Sequence, residues 1–244
     1  MAEKKNVVTP QVAHTDDVLV KAKGFWANYS KPIIYVGGAM ILILAAWFGY
    51  KNYVKAPKES KASEVIFPAE NLFDKMATTG FNKDTVNIVL NGGNADGINI
   101  TGLLKIMNTY SGTEAANRAA YMIGASYLQI KEFDKAIKYL KEFDANGASQ
   151  VQSKAYIMLG HAYAEKKNND EALSYYKKAA SAVNDKDEAL AGDALLMAAS
   201  FAEAVGKSKE AVEIFKELKE KYPSNAAVQS GEVDKYLAKL GVTD

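Results

Sequence analysis

The chain has 244 residues, 48 % of them apolar, with 30 Lys plus Arg against 29 Asp plus Glu, which is the composition of a folded rather than a disordered protein. Its net charge of +1 and its single arginine, Arg118, argue against a chain-wide cationic surface that reads nucleic acid. The absence of cysteine excludes disulfide frameworks, cysteine zinc sites and thiol nucleophiles, and the two histidines, His14 and His161, lie too far apart for a local metal motif.

Residues 1–32 read as a tail whose later part, from about Thr15, is a candidate helix begun by Asp16 or Asp17. Val18, Leu19, Ala22, Phe25, Trp26 and Tyr29 recur at intervals of three and four, a stripe suited to a membrane surface before Pro32 starts the next element. A loosely ordered tail is the competing reading. From Ile33 to Tyr50 eighteen residues pass without a charge, and a helix of that length covers about 27 Å, close to a bilayer core. Aromatic belts (Trp26, Tyr29 and Tyr35 before, Trp47, Tyr50 and Tyr53 after) and the flanking Lys31 and Lys51 complete a transmembrane helix over 33–53. No small-x-small cleavage site follows Trp47, so the segment reads as a lasting anchor rather than a signal peptide. Gly38, Ala45 and Gly49 fall near one face and would let a partner helix approach, although small residues are tolerated anywhere in such a helix. Lysines on the two sides are nearly balanced, leaning toward a cytoplasmic C-terminal part.

Residues 54–112 read as a spacer helix and an irregular pre-repeat region. The polar run Lys51 to Glu64 continues the helix, with expected interruptions near Pro57 and Pro68. Val65, Ile66, Leu72, Phe73 and Met76 mark an amphipathic helix in need of a partner. Thr78 to Asn99 is the least regular stretch. Its Asn91-Gly92-Gly93-Asn94 and Asp96-Gly97 clusters read as a turn between helices, because no Gly-Lys-Ser/Thr follows for a phosphate loop and no alternating acidic ligands are present for calcium.

From Thr113 the chain matches itself three times. Ala136 and Ala172 correspond at an interval of 36 residues, and Ala172 and Ala211 at 39, the period of a helical repeat array. Each block has two apolar-periodic helices around a polar turn, at Lys131-Glu132, Lys167-Asn168 and Gly206-Lys207. Small residues, Gly124, Gly160 and Ala199, would let the paired helices cross closely, while Leu140, Tyr176 and Phe215 would fill the space between hairpins. Helices around Ile100 to Tyr110 and Gly231 to Leu240 would cap residues 113–244.

These positions resemble the tetratricopeptide repeat: the small residue at eight, the aromatic at eleven (Tyr127 and Tyr163, with Ala202 departing), the alanine at twenty and the large apolar residue at twenty-four. Pro223 closes the last block where Ala148 and Asn184 stand in the first two. The fold class is therefore all-α, a single N-terminal transmembrane helix followed by a short tetratricopeptide-repeat α-solenoid. With its tail, anchor, spacer helix and Asn-Gly-Gly loop, the chain resembles the single-span repeat proteins related to YfgM, the ancillary subunit of the SecYEG translocon, in the form found in Bacteroidetes-type bacteria. The resemblance implies a bacterial inner-membrane protein with a cytoplasmic N-terminus and a periplasmic repeat domain. The partners it implies are SecYEG and a PpiD-type prolyl isomerase, with emerging secretory chains as clients.

Aligned to the repeat, the groove-facing residues are Arg118, Tyr121 and Ala125, then Lys154, Ile157 and His161, then Asp193, Leu196 and Ser200. Tyr121, Ile157 and Leu196 would form an apolar stripe for a bound segment, or alternatively pack against neighbouring helices of a short closed array. Arg118 and Lys154 are only a fragment of the family's carboxylate clamp. No nucleophile and base constellation points to an enzyme, and no cofactor, metal or small-molecule substrate is expected. A generic scaffold in an envelope or division complex is the alternative function.

Overall fold

A computed structural model describes residues 15–183 and 186–242, with side chains from residue 19 onward. His14, Asn184 and Asp244 lie outside the described residues, as do the side chains of Asp16 and Asp17 expected to cap the helix. The chain divides into two compact units, Met1–Pro57 and Lys58–Asp244.

In the first unit, helix α1 (Thr15–Tyr50) is followed by a π-helical turn, Lys51–Lys55. Pro32 lies inside α1 and does not divide it, which corrects the expected break between a surface helix and a span. A proline there removes a single N–H and leaves the rest of the helical ladder in place. The apolar side chains of α1 are exposed all round, Tyr35 at 75 % and Leu42 at 71 % among them, so no face of the helix is preferred for packing. One apolar stretch of this run is long enough to cross a membrane, and none of it is buried. Side-chain volume added at Gly37, Gly38 or Gly49 would meet open space.

The second unit starts on α2 (Ala56–Thr79), whose residues from Lys58 onward belong to it. Neither proline interrupts α2. Pro57 follows directly on the π-helical turn, where the bonding already departs from the regular ladder, and Pro68 is carried because Ala62, Ile66, Ala69, Leu72 and Met76 form one buried stripe on both sides of it. Then come α3 (Lys83–Asn91), capped by Asn82 accepting from the Thr85 N–H at 2.8 Å, and a small antiparallel hairpin, β1 (Gly93–Ala95) with β2 (Ile98–Ile100). Ala95 pairs with Ile98 across the two-residue turn Asp96-Gly97, and both turn residues have positive φ, 52° and 80°. This is the conformation that joins strands most tightly. The region expected to be irregular therefore holds a helix and a hairpin, and Asp96-Gly97 joins strands rather than helices.

After α4 (Leu103–Thr109) come three helical hairpins: α5 (Glu114–Gln129) with α6 (Phe133–Glu142), α7 (Ser149–Glu165) with α8 (Asn169–Val183), and α9 (Glu188–Ala204) with α10 (Ser208–Lys221). Short α11 (Ala226–Gln229) and α12 (Glu232–Lys239) follow. Each first helix stops in the same way. Lys131, Lys167 and Gly206 turn left-handed at φ 65°, 59° and 79°. The next N–H (Glu132, Asn168, Lys207) donates to the carbonyl five residues back at 2.9, 2.9 and 2.8 Å. This doubly bonded helix stop reverses the chain and starts the second helix in register.

Packing follows the repeat. A Cβ on Gly124 would stand 2.6 Å from Leu140 Cγ, and one on Gly160 would stand 2.5 Å from Tyr176 Cε1. Glycine there is a requirement of close helix crossing. In the third hairpin Ala199 and Phe215 take these places, both fully buried. The C-terminal helix contributes Val233 and Leu237 to the same core, and Phe215 stacks on Tyr236 with ring centroids 4.9 Å apart. At the other end, α2, α3 and α4 share a core with α5 through Ile66, Leu103, Ile106 and Ile123.

Candidate binding groove

The first helices α5, α7 and α9 carry the aligned inner positions. Repeat spacing places Arg118, Lys154 and Asp193 at one level, Tyr121, Ile157 and Leu196 at the next, and Ala125, His161 and Ser200 at the third. Their environments differ because other parts of the chain reach the two ends of this row.

At the first repeat, α2 runs beside the row. The Arg118 Nε donates to Glu70 Oε1 at 2.8 Å, which ties the exposed guanidinium to α2. Tyr121 is half-buried with its ring 5.3 Å from that of Phe143, and burial pushes its phenol pKa up. Ala125 is buried. Three further bonds tie α2 here. The Glu59 carboxylate accepts from the N–H groups of Glu114 and Ala115 at 2.9 and 3.3 Å, and Lys58 donates to the Ser111 carbonyl at 2.7 Å. A carboxylate on the exposed amides of a helix start satisfies donors that have no intrahelical acceptor.

At the third repeat, Asn225 donates to Asp193 Oδ1 at 2.9 Å and accepts from the Ala227 N–H at 3.0 Å, so the turn before α11 takes up that end. The middle of the row stays open. Lys154 is exposed, Ile157, Leu196 and Ser200 are half-exposed, and Ile157 and Leu196 rest against the core that α8, α9 and α10 share. His161 Nδ1 lies 2.9 Å from Tyr176 Oη. Burial lowers the imidazole pKa against the opposing pull of Glu165, and pushes the Tyr176 phenol up to about 12. Asp187 at the start of α9 is held below the usual carboxylate range, first by the Leu190 N–H, then by Gln150, with Lys154 adding to it.

The nine inner residues named from the sequence thus separate by what engages them. Arg118 is paired with Glu70 of α2, Tyr121 is half-buried beside it, Ala125 is buried and Asp193 is bonded by Asn225; Lys154, Ile157 and His161 on α7 and Leu196 and Ser200 on α9 remain accessible. Gly38, Ala45 and Gly49 lie on α1 in the other unit. Among the described residues no three His, Asp or Glu side chains converge as metal ligands. A polar cleft of about 660 Å³ lies between the α4–α5 junction and the α6–α7 link, where Asn117 exchanges two hydrogen bonds with the Asp144 backbone at 2.6 and 2.9 Å. Sequence reasoning missed two smaller clefts, about 370 and 250 Å³, on either side of Phe67. The available signal was Phe67 itself, an aromatic residue out of phase with the buried stripe of α2.

A row of helical hairpins with a partly open inner face defines a repeat scaffold, a class that generally binds other proteins instead of catalysing reactions. The chain belongs to the tetratricopeptide repeat-like domain family, whose pattern matches residues 23–229. No curated protein matches it.

Proposed function

We propose that this protein is a membrane-anchored interaction module, an accessory subunit of the Sec translocon that works with a PpiD-type prolyl isomerase and helps to chaperone emerging secretory chains. The supporting observation is the span of the family pattern: it begins at residue 23, ahead of the apolar stretch of α1, and continues through all three hairpins. Anchor and repeats are thus parts of one architecture. The N-terminus is cytoplasmic and the repeat domain periplasmic in this reading. The open part of the row, Lys154, Ile157, His161, Leu196 and Ser200, receives a partner segment, and the face of Gly38, Ala45 and Gly49 is available to a partner helix in the bilayer.

Two measurements test it. A reporter active only in the periplasm, fused after Asp244, is expected to be active; activity of a cytoplasmic reporter instead overturns the topology. Photocrosslinkers at Ile157 and Leu196 are expected to recover translocon and isomerase subunits, whereas recovery of division proteins alone would replace this assignment with the generic scaffold.

A further inference from the structure

Among the described residues of the second unit, three large apolar side chains are exposed: Phe67 at 60 %, Ile98 at 57 % and Val151 at 37 %. They come from α2, β2 and α7, yet all three line the two clefts beside Phe67, which share Phe67 and Asn71. Val151 stands in the larger with Tyr121, Met122 and Phe143, and Ile98 in the smaller with Leu72 and Ile100. Exposed apolar surface gathered in one place on an otherwise polar domain marks an interaction site. The cleft volumes suit single side chains from a partner better than an enclosed small molecule.

The charges around this strip identify its occupant. Arg118 is committed to Glu70 and Lys75 to Asp96, at 2.8 and 2.7 Å. Asp74 lines the larger cleft on the same face of α2 and has no ion pair among the described residues. Both basic groups of the strip are therefore used, and one acid is left over. A second copy of the chain, docked strip to strip, would set the acids Glu70, Asp74 and Asp96 against the same three with only Arg118 and Lys75 to offset them, and an anionic lipid surface would meet the same excess of negative charge.

We propose that the Phe67 strip is a docking site for an amphipathic helical segment of another protein, one that places two apolar side chains in the clefts and a lysine or arginine at Asp74. This is the helix-in-groove mode, with Phe67 as the ridge between anchors and Asp74 setting orientation. It does not depend on the translocon assignment.

The test uses the full-length protein in nanodiscs of neutral lipid and a library of stapled peptides of about 15 residues, the length at which isolated helices are marginal. Apolar positions vary, and one site carries Lys, Gln or Glu. Selection is expected to enrich two apolar residues on one face together with Lys. For the selected peptide, Phe67→Ala is expected to raise Kd by about 10-fold or more, the mark of an anchor. Asp74→Lys is expected to weaken the Lys peptide similarly and to favour its Glu counterpart. Both side chains are exposed, so circular dichroism melts should be unchanged. Binding that ignores both substitutions, or a preference for Glu in the unmodified protein, overturns the proposal. So does a concentration-dependent dimer or adsorption to anionic vesicles that Phe67→Asp abolishes, since each assigns the strip to another occupant.

Discussion

The first two hairpins and the third solve the same packing problem with glycine in opposite places. In the first two, Gly124 and Gly160 sit at the helix crossing while Lys131 and Lys167 hold the left-handed turn. In the third, Ala199 sits at the crossing and Gly206 holds the turn. The third crossing holds a methyl group, with Phe215 stacked on Tyr236 of the C-terminal helix, whereas Leu140 and Tyr176 lie directly over their glycines. A repeat position thus prescribes a distance between helices, and the residue that meets it depends on what the facing side chain has beside it.

The strongest way to break this contrast is to remove Phe215. Phe215→Ala in the full-length protein in detergent is expected to cost about 3–5 kcal/mol by denaturant titration, because a fully buried aromatic shared by two elements leaves a cavity. Next comes Gly160→Ala against Ala199→Gly. The first is expected to lose about 1–3 kcal/mol through overpacking on Tyr176, and the second only about 0.5–1 kcal/mol of helix preference. Equal losses would mean that the two crossings do not differ.

Smaller effects come from the turns. Lys131→Gly and Lys167→Gly are each expected to stabilise by up to about 1 kcal/mol, seen as a higher Tm, by relieving a side chain from left-handed backbone. Gly206→Lys should do the reverse. The smallest effect is specific to the second repeat, which alone places a histidine on its inner row where Ala125 and Ser200 stand in the others. Because the folded imidazole is held below its ordinary 6.5, the unfolded chain binds more protons below that value. Stability is then complete above about 6.5 and declines as pH falls toward the folded pKa. His161→Asn is expected to remove that slope from Tm measured between neutral and mildly acid pH.

Helix stops and crossings were readable because each has a local cause. A left-handed residue recurs at the repeat interval, and small residues recur where helices meet. The apolar stretch of α1 was equally plain from its uninterrupted run. What escaped were pairings between distant parts of the chain. Glu59 on the α5 amides and Glu70 on Arg118 join residues about fifty positions apart, with no periodic pattern to announce them. The second turned an expected groove residue, Arg118, into a support for α2. The prolines misled for the opposite reason: each looked like a local stop, but one lost hydrogen bond did not end either helix, and at Pro68 the long-range burial of the α2 stripe outweighed it. The hairpin after α3 was hidden because its strands are only three residues long.

The matched helix stops also make the array extensible. Lys131 and Lys167 share one backbone conformation and one bonding pattern, so residues 132–167 begin and end at equivalent points of the chain. Inserting a second copy of that segment after Lys167 would join like to like at both seams, adding one hairpin in which Gly160 faces the copied Leu140, while the copied Gly160 keeps the crossing with Tyr176 and both terminal caps stay untouched. Genetic duplication of this length lengthens the domain without requiring any new turn, which is how such arrays grow.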